Sequence, residues 1–316
     1  MKNLKVVFMG TPTFSVPILQ KLIDNYNVVL VVSQPDREKD RKGNLLPTPI
    51  KKITIENNIE IFQPKNIKEE FQYIIEKNPD IIITCAYGQI IPKQLLDSPK
   101  YGCINVHGSL LPKLRGGAPI HHAIINGDEK TGITIMYMDE KMDSGDIISQ
   151  REIRILAEDN LDSLYEKMSL LGAQLLIDTL PSIINGTNNR IKQNKSEVTF
   201  GYNITKEQEK IDFNNPCKSI HNKIRGLSTI PGAYCYFEEK RLKIYKSEIT
   251  DKKSEQLPGT IIKINKTGIY VSTKDNVLKI TDIKLEGKKR CQVSDFINGI
   301  KEKDYLGKVL KWWMNL

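Results

Sequence analysis

The apolar positions of the chain fall into two regimes. Through the first half, short β-branched runs (KVVFMG, NVVLVVS, PDIIITCA, YGCINV and GITIMYM) are interleaved with stretches such as FSVPILQKLI and GQIIPKQLL. The runs are continuously apolar, the pattern of strands buried on both faces of a parallel sheet. Strands and helices in succession imply right-handed crossovers, so the pattern predicts an α/β fold with a doubly wound, mostly parallel, Rossmann-like sheet. Ligands of such sheets collect beyond the carboxyl ends of the strands, which directs attention to the residues that follow VVFM, IITCA and INV.

From NLDSLYEKMSLLGAQLLIDTL the period becomes helical, with Leu161, Leu164, Tyr165, Met168, Leu171 and Leu175 near three-four spacing. INGTNNRIKQNKSE then offers little to bury and reads as a linker. After it, a helix around PCKSIHNKIRGL precedes GAYCYF, RLKIYKSEIT, GTIIKI, GIYVST and NVLKITDIKL, short strands parted by turn residues that predict a small, OB-like β-barrel. The expected division is a domain over 1–185, a linker over 186–206 and a barrel domain over 207–316. One connection in the first domain exceeds the usual few residues. Gln34 to Pro49 has no apolar period and carries Arg37, Lys39, Arg41 and Lys42, a basic arm on a structured frame.

Charge sharpens the division. Residues 1–205 carry 24 basic and 24 acidic side chains, whereas residues 206–316 carry 23 and 14, so the whole net charge of +9 lies in the last third. A neutral front and a basic back imply different partners, and a polyanion such as nucleic acid is the first candidate for the back. Lys288, Lys289 and Arg290 in one predicted turn, and Lys240, Arg241 and Lys243 in another, are the candidate contacts. No apolar run approaches the ~20 residues a bilayer requires, and the early LKVVFMGTPTF meets Pro12 before it could serve as a signal core, so a soluble cytoplasmic protein, acting as a monomer, is expected. The cysteines Cys85, Cys103, Cys217, Cys235 and Cys291 form no C-x-x-C pair and share no metal-ligand spacing with the four histidines, so no metal is expected.

The candidate chemistry lies in INVHGSLLPKLRGGAPI. Asn105 and His107 are two apart and face the same side of an extended strand. An Asn amide and an imidazole can both donate to an oxygen that gains charge as a carbonyl turns tetrahedral. MDEKMDSGDII supplies carboxylates in Asp139, Asp143 and Asp146. Asp143 lies in the tightest loop and could reach back to fix the imidazole tautomer and make the ring a donor. Each of these residues alone has an ordinary structural explanation as a strand-end or turn residue. His121, His122 and His221 are expected on helix surfaces.

Taken together, INVHGSLLPKLRGGAPI and TGITIMYMDEKMDSGDII resemble the formyltransferases that use 10-formyltetrahydrofolate, whose signature is an Asn, a His two residues on, Ser-Leu-Leu-Pro, and a distant Asp in a D-x-G-D-type loop. VVFMGTPTFSVPIL, QPDREKDRKG and ITKEQEKIDF extend the likeness over nearly the whole chain, toward the members that act on methionyl-tRNA. The resemblance implies a catalytic set of Asn105, His107 and Asp143, a folate site lined by Ser109, Leu110, Leu111 and Pro112, and tRNA contacts at Arg41 and Lys206. It also implies 10-formyltetrahydrofolate as co-substrate and initiator methionyl-tRNA as partner. DIIITCAYGQIIP would form the opposite wall of the folate site. Thr13 stands where the family often has an acidic residue, and LSTIPGAY lacks a tryptophan common before its proline. The alternatives are a folate-dependent formyltransferase with another amine substrate, a hydrolase that releases formate, and a non-catalytic RNA-binding protein, which would have no need of the Asn, His and Asp together.

Overall fold

The apolar runs of the first half form one seven-stranded sheet. In chain order the elements are β1 (Lys5–Gly10), α1 (Val16–Asn25), β2 (Asn27–Val32), α2 (Pro49–Glu56), β3 (Ile61–Phe62), α3 (Ile67–Glu70), α4 (Gln72–Ile75), β4 (Ile81–Cys85) and α5 (Lys93–Leu96). They continue with β5 (Cys103–His107), α6 (Pro119–Asn126), β6 (Lys130–Tyr137), β7 (Ile147–Arg154) and α7 (Leu161–Ile184). The structure is a computed structural model that describes residues 4–37, 39, 43–299 and 304–312. Arg41 therefore lies outside the described residues.

The sheet order is β3-β2-β1-β4-β5-β6-β7, with β1 to β5 parallel. After β3 the chain crosses to the other side of β1, so the strand order reverses between β1 and β4. That reversal opens a crevice beyond the carboxyl ends of these strands. β6 runs antiparallel to β5, and β7 antiparallel to β6. The side chains of β7 alternate between covered and exposed, as expected of an edge strand with one face in water. Sequence reading for continuous apolar runs passes over such a strand. Val7, Met9, Leu30, Val32 and Ile82 are fully buried in one core cluster against the sheet. α2 begins at a proline and is capped by Thr48, whose hydroxyl accepts from the Lys51 amide.

The contacts divide the chain into two units: Met1–Pro119, Lys130–Arg154 and Tyr165–Tyr202 in the first, and Ile120–Glu129, Ile155–Leu164 and Asn203–Leu316 in the second. The second draws two segments out of the sequence of the first. Their hold is visible in α8 (Cys217–Gly226), where the Arg225 guanidinium donates to the carbonyls of Leu156 and Asp159 at 3.0 and 2.7 Å.

After α8 come β8 (Ala233–Phe237), β9 (Lys240–Ile249), β10 (Ile261–Asn265), β11 (Gly268–Ser272), β12 (Val277–Leu285), β13 (Cys291–Gln292) and α9 (Val293–Phe296). Their order is β10-β11-β12-β9-β8, antiparallel throughout, with β13 beside β12. Its two edge strands do not stay open. Tyr236 of β8 exchanges two backbone hydrogen bonds with Lys311, at 2.6 and 2.9 Å, while Ile261 of β10 donates to Lys308 and Leu310 donates to Gly259, both at 2.8 Å. One short segment thus pairs with both edges and closes the sheet into a barrel, removing edges that would template aggregation. Ile220, Ile224, Ile244, Val271, Ile280 and Leu310 lie in its core.

The predicted basic turns are largely occupied inside this unit. Arg290 bonds Asp282 at 2.8 Å and lies over the Tyr245 ring, Arg241 lies over Tyr234, and the Lys243 ammonium donates to the Pro231 carbonyl. Lys288, Lys289 and Lys206 are exposed.

Candidate active site

β5 ends at the crevice side of the sheet, and its register places Asn105 opposite Thr84 of β4. The Thr84 hydroxyl donates to Asn105 Oδ1 at 2.9 Å. With its oxygen taken, the amide turns its nitrogen toward Asp143, and Nδ2 lies 3.4 Å from Asp143 Oδ1. His107, two residues on, is 5% exposed and brings Nδ1 to 3.6 Å from the same carboxylate oxygen. The three predicted side chains therefore converge on one point. The other candidates are used elsewhere: Asp139 accepts from the Ser144 hydroxyl and the Lys141 amide, and Asp146 pairs with Arg190.

His107 Nε2 faces the Leu114 carbonyl at 3.1 Å. A carbonyl only accepts, so this nitrogen carries a proton. Nδ1 faces the Asp143 carboxylate on the other side of the ring. Asp143 Oδ2 accepts from the Gly116 amide at 2.8 Å, which fixes the carboxylate from behind.

Both residues that hold His107 have left-handed backbones, with φ of 58° at Leu114 and 50° at Asp143. Such conformations are uncommon outside glycine and cost of order 1–3 kcal/mol. The segment expected to be a linker holds them. Thr199 Oγ1 accepts from the Leu114 amide at 2.9 Å. Gln193 donates through Nε2 to the carbonyls of Asp143 and Gly145, each at 2.8 Å, and its Oε1 accepts from Arg115 Nε and Nη2 at 3.0 and 2.7 Å. Close approach at two points requires glycine: a Cβ on Gly145 would lie 2.0 Å from the Tyr137 carbonyl oxygen, and one on Gly116 would lie 2.8 Å from that of Gly201.

The Ser109–Pro112 segment forms a bonded knuckle beneath His107. Thr134 Oγ1 donates to the Ser109 carbonyl and accepts from the Leu111 amide, while Gln150 Nε2 donates to the Leu111 carbonyl. Ser109 Oγ donates to the Lys113 carbonyl. Ser109 and Leu111 are buried, Leu110 and Pro112 half-exposed. The Leu111 amide and the Ser109 hydroxyl are thus spent within this segment. Ile90 is 70% exposed in the loop after β4. Beyond the ends of β1, β2 and β4 lies a cavity of about 480 Å³, lined by Thr11, Gln34, Arg37, Lys65 and Gln89 among others.

Thr84, Gln193, Thr199 and Gly116 are the site residues that sequence reasoning missed. Among the described residues no group of His, Cys, Asp and Glu could hold a metal ion, and no helix is long and apolar enough to cross a membrane.

Comparison with known proteins bears on this geometry. The formyl transferase family model matches residues 3–180, and the model of the formyl transferase C-terminal domain matches residues 203–301. The methionyl-tRNA formyltransferase of Bacillus velezensis is 48% identical over 309 residues, covering 96% of this chain and 98% of its own, and that of Staphylococcus epidermidis is 48% identical over 97% and 99%. The chain belongs to the methionyl-tRNA formyltransferase family. Solved structures extend the fold further. An N-formyltransferase from Helicobacter canadensis, solved with folinic acid and dTDP-3-aminofucose, superposes with a TM-score of 0.66 at 22% identity, covering 88% of this chain and 98% of that one. HypX from Aquifex aeolicus in complex with tetrahydrofolic acid gives 0.63 at 16% identity, over 98% and 50%.

Proposed function

We propose that Asn105, His107 and Asp143 catalyse transfer of the formyl group of 10-formyltetrahydrofolate to the α-amine of methionine esterified to initiator tRNA. The observation that carries the reading is the approach of two donor side chains to one carboxylate oxygen, at 3.4 and 3.6 Å, at the carboxyl end of a central strand. A free α-amine has a pKa near ~7.7–8.0, and the adjacent ester lowers it, so the attacking group needs little base strength. The second N–H of Asn105 Nδ2 and the His107 ring stabilise the negative charge that develops on the formyl oxygen. Asp143 takes the proton released by the amine, directly or through water, and the C–N10 bond then breaks with that proton delivered to N10, leaving tetrahydrofolate.

Folate supplies the formyl group. Its ring system is held between the apolar faces of Leu110, Leu111 and Pro112 over Ser109 and the loop that carries Ile90, whose exposure is the observation that fits an apolar ligand. Residues 1–185 carry the chemistry, and the basic residues 207–316, joined by 186–206, carry tRNA contacts together with Arg41 and Lys206. The working form is a cytoplasmic monomer, which sedimentation of the purified protein checks for its oligomeric part.

The decisive experiment incubates the protein with 10-formyltetrahydrofolate and charged or uncharged initiator tRNA and looks for formylmethionine. Removal of one oxyanion donor costs on the order of 3–4 kcal/mol in other enzymes, so Asn105→Ala should lower kcat by hundreds-fold with folate affinity nearly unchanged. A fall of less than tenfold would remove Asn105 from this role.

A further inference from the structure

Two largely exposed aromatic side chains lie on the segment that pairs with Arg115. Phe200 and Tyr202 are 47% and 56% exposed, and their rings are stacked with centroids 5.0 Å apart and planes within 7° of parallel. Residues two apart on extended backbone share a face, which explains why they meet. The backbone between them is not loose. Phe200 pairs with Arg115 as in a parallel sheet, Gly201 donates to the Arg115 carbonyl at 2.8 Å, and Ala118 donates to the Gly201 carbonyl at 2.8 Å. The pair therefore sits on a fixed segment, laced to the same Arg115–Gly116 backbone whose Gly116 amide holds Asp143 Oδ2 at 2.8 Å.

We infer that Phe200 and Tyr202 form a stacking platform for an unpaired nucleobase of the tRNA acceptor end. The inference rests on the function proposed above and assigns a substrate contact to that site. An amino acid esterified to tRNA hangs from a single-stranded terminus, so with the amine at Asp143 the last nucleotides cross the surface next to it. Every base has a π-face, and the outer face of a stacked, exposed aromatic pair binds it without regard to sequence. Continuity with the Asp143 backbone selects this occupant over an unrelated protein partner.

The test uses the full chain with Phe200→Ala and Tyr202→Ala together, and a second variant with both residues changed to Trp. Base stacking of the usual strength gives a rise of about 10- to 100-fold in KM for methionyl-tRNA in the alanine variant. Its kcat and its KM for 10-formyltetrahydrofolate should stay within twofold of the parent, and the tryptophan variant should match the parent. Direct binding provides an arm that needs no turnover: the parent should lose the same factor when the tRNA lacks its unpaired terminal nucleotides, and the alanine variant should not distinguish the two tRNAs. Equal tRNA affinity in parent and alanine variant overturns the platform. So does full restoration by a double leucine variant, which would reveal apolar packing alone. A parent that binds tRNA through the pair yet makes no formylmethionine would instead overturn the proposed reaction.

Discussion

Gln193 offers the sharpest test of how the site is held. Gln193→Leu removes the donors to the Asp143 and Gly145 carbonyls and the acceptor shared by two Arg115 nitrogens. Neutral hydrogen bonds contribute about 0.5–1.5 kcal/mol each and those to charged groups about 1.5–3. Gln193 and Arg115 are only half-buried, so water replaces part of this, and a net loss of about 2 kcal/mol of stability is expected. The effect on turnover should be larger than that suggests. Without the clamp only the Gly116 amide still restrains Asp143 against relaxation from its left-handed backbone, and a displacement of ~1 Å in an active site can cost about 100-fold. The assay pairs denaturant unfolding with steady-state formylation, varying each substrate in turn. The expected result is a kcat lower by about 30- to 100-fold, a KM for folate within about threefold, and a protein still folded at assay temperature. Gln193→Glu should do no better, because it keeps the acceptor for Arg115 but points oxygens at two carbonyls. If kcat of the leucine variant stays within about threefold of the parent while stability drops as expected, Asp143 is positioned without Gln193 and the reasoning fails.

Thr84→Val keeps the shape of the side chain and removes only the hydroxyl that orients Asn105. It should lower kcat by about 5-fold, since one hydrogen bond of ~1 kcal/mol no longer selects the productive amide orientation, with a melting temperature close to the parent's. In the second unit, burial drives His121 and His221 down to about pKa 4. Each binds its proton more readily when unfolded, so each contributes stability above pH ~6.5 that is lost as pH falls from there toward 4, at a limiting slope of about 1.4 kcal/mol per pH unit. Unfolding free energies measured between pH 7 and 4 should show the two together, a limiting slope of about 2.7 kcal/mol per pH unit, and His221→Asn should halve it. Deleting residues from 307 onward unpairs both barrel edges and removes buried Leu310, a cost of about 3 kcal/mol together with a gain in aggregation, read by thermal unfolding and light scattering.

Much of this architecture was legible because it is written in local periodicity. Continuous apolar runs gave β1, β2, β4 and β5, and period two put Asn105 and His107 on one face. The antiparallel turn at β6 and the alternating edge strand β7 were not legible, because direction is set by which neighbour a strand meets, and β7 is half in water. Asp143 could be favoured over Asp139 and Asp146 from its tight Asp-Ser-Gly-Asp turn, and family likeness pointed to the same residue. Thr84, Gln193 and Thr199 carry no local signal at all. A hydroxyl or amide acts on the site through a partner distant in sequence, and the segment that supplies Gln193 and Thr199 is as polar and glycine-flanked as any linker. His121 was expected on a helix surface. It is half-buried in the second unit, where a Cβ on Gly226 of α8 would lie 3.3 Å from the His121 carbonyl oxygen and 2.8 Å from an Ile125 side-chain carbon.

The closure of the barrel has a consequence for biosynthesis. β8 and β10 are translated well before the segment around Lys308–Lys311 that pairs with both of them. While the ribosome still encloses that segment, the emerging domain exposes two unsatisfied edges, a state that invites chaperones. The seam can form only once that segment has itself emerged.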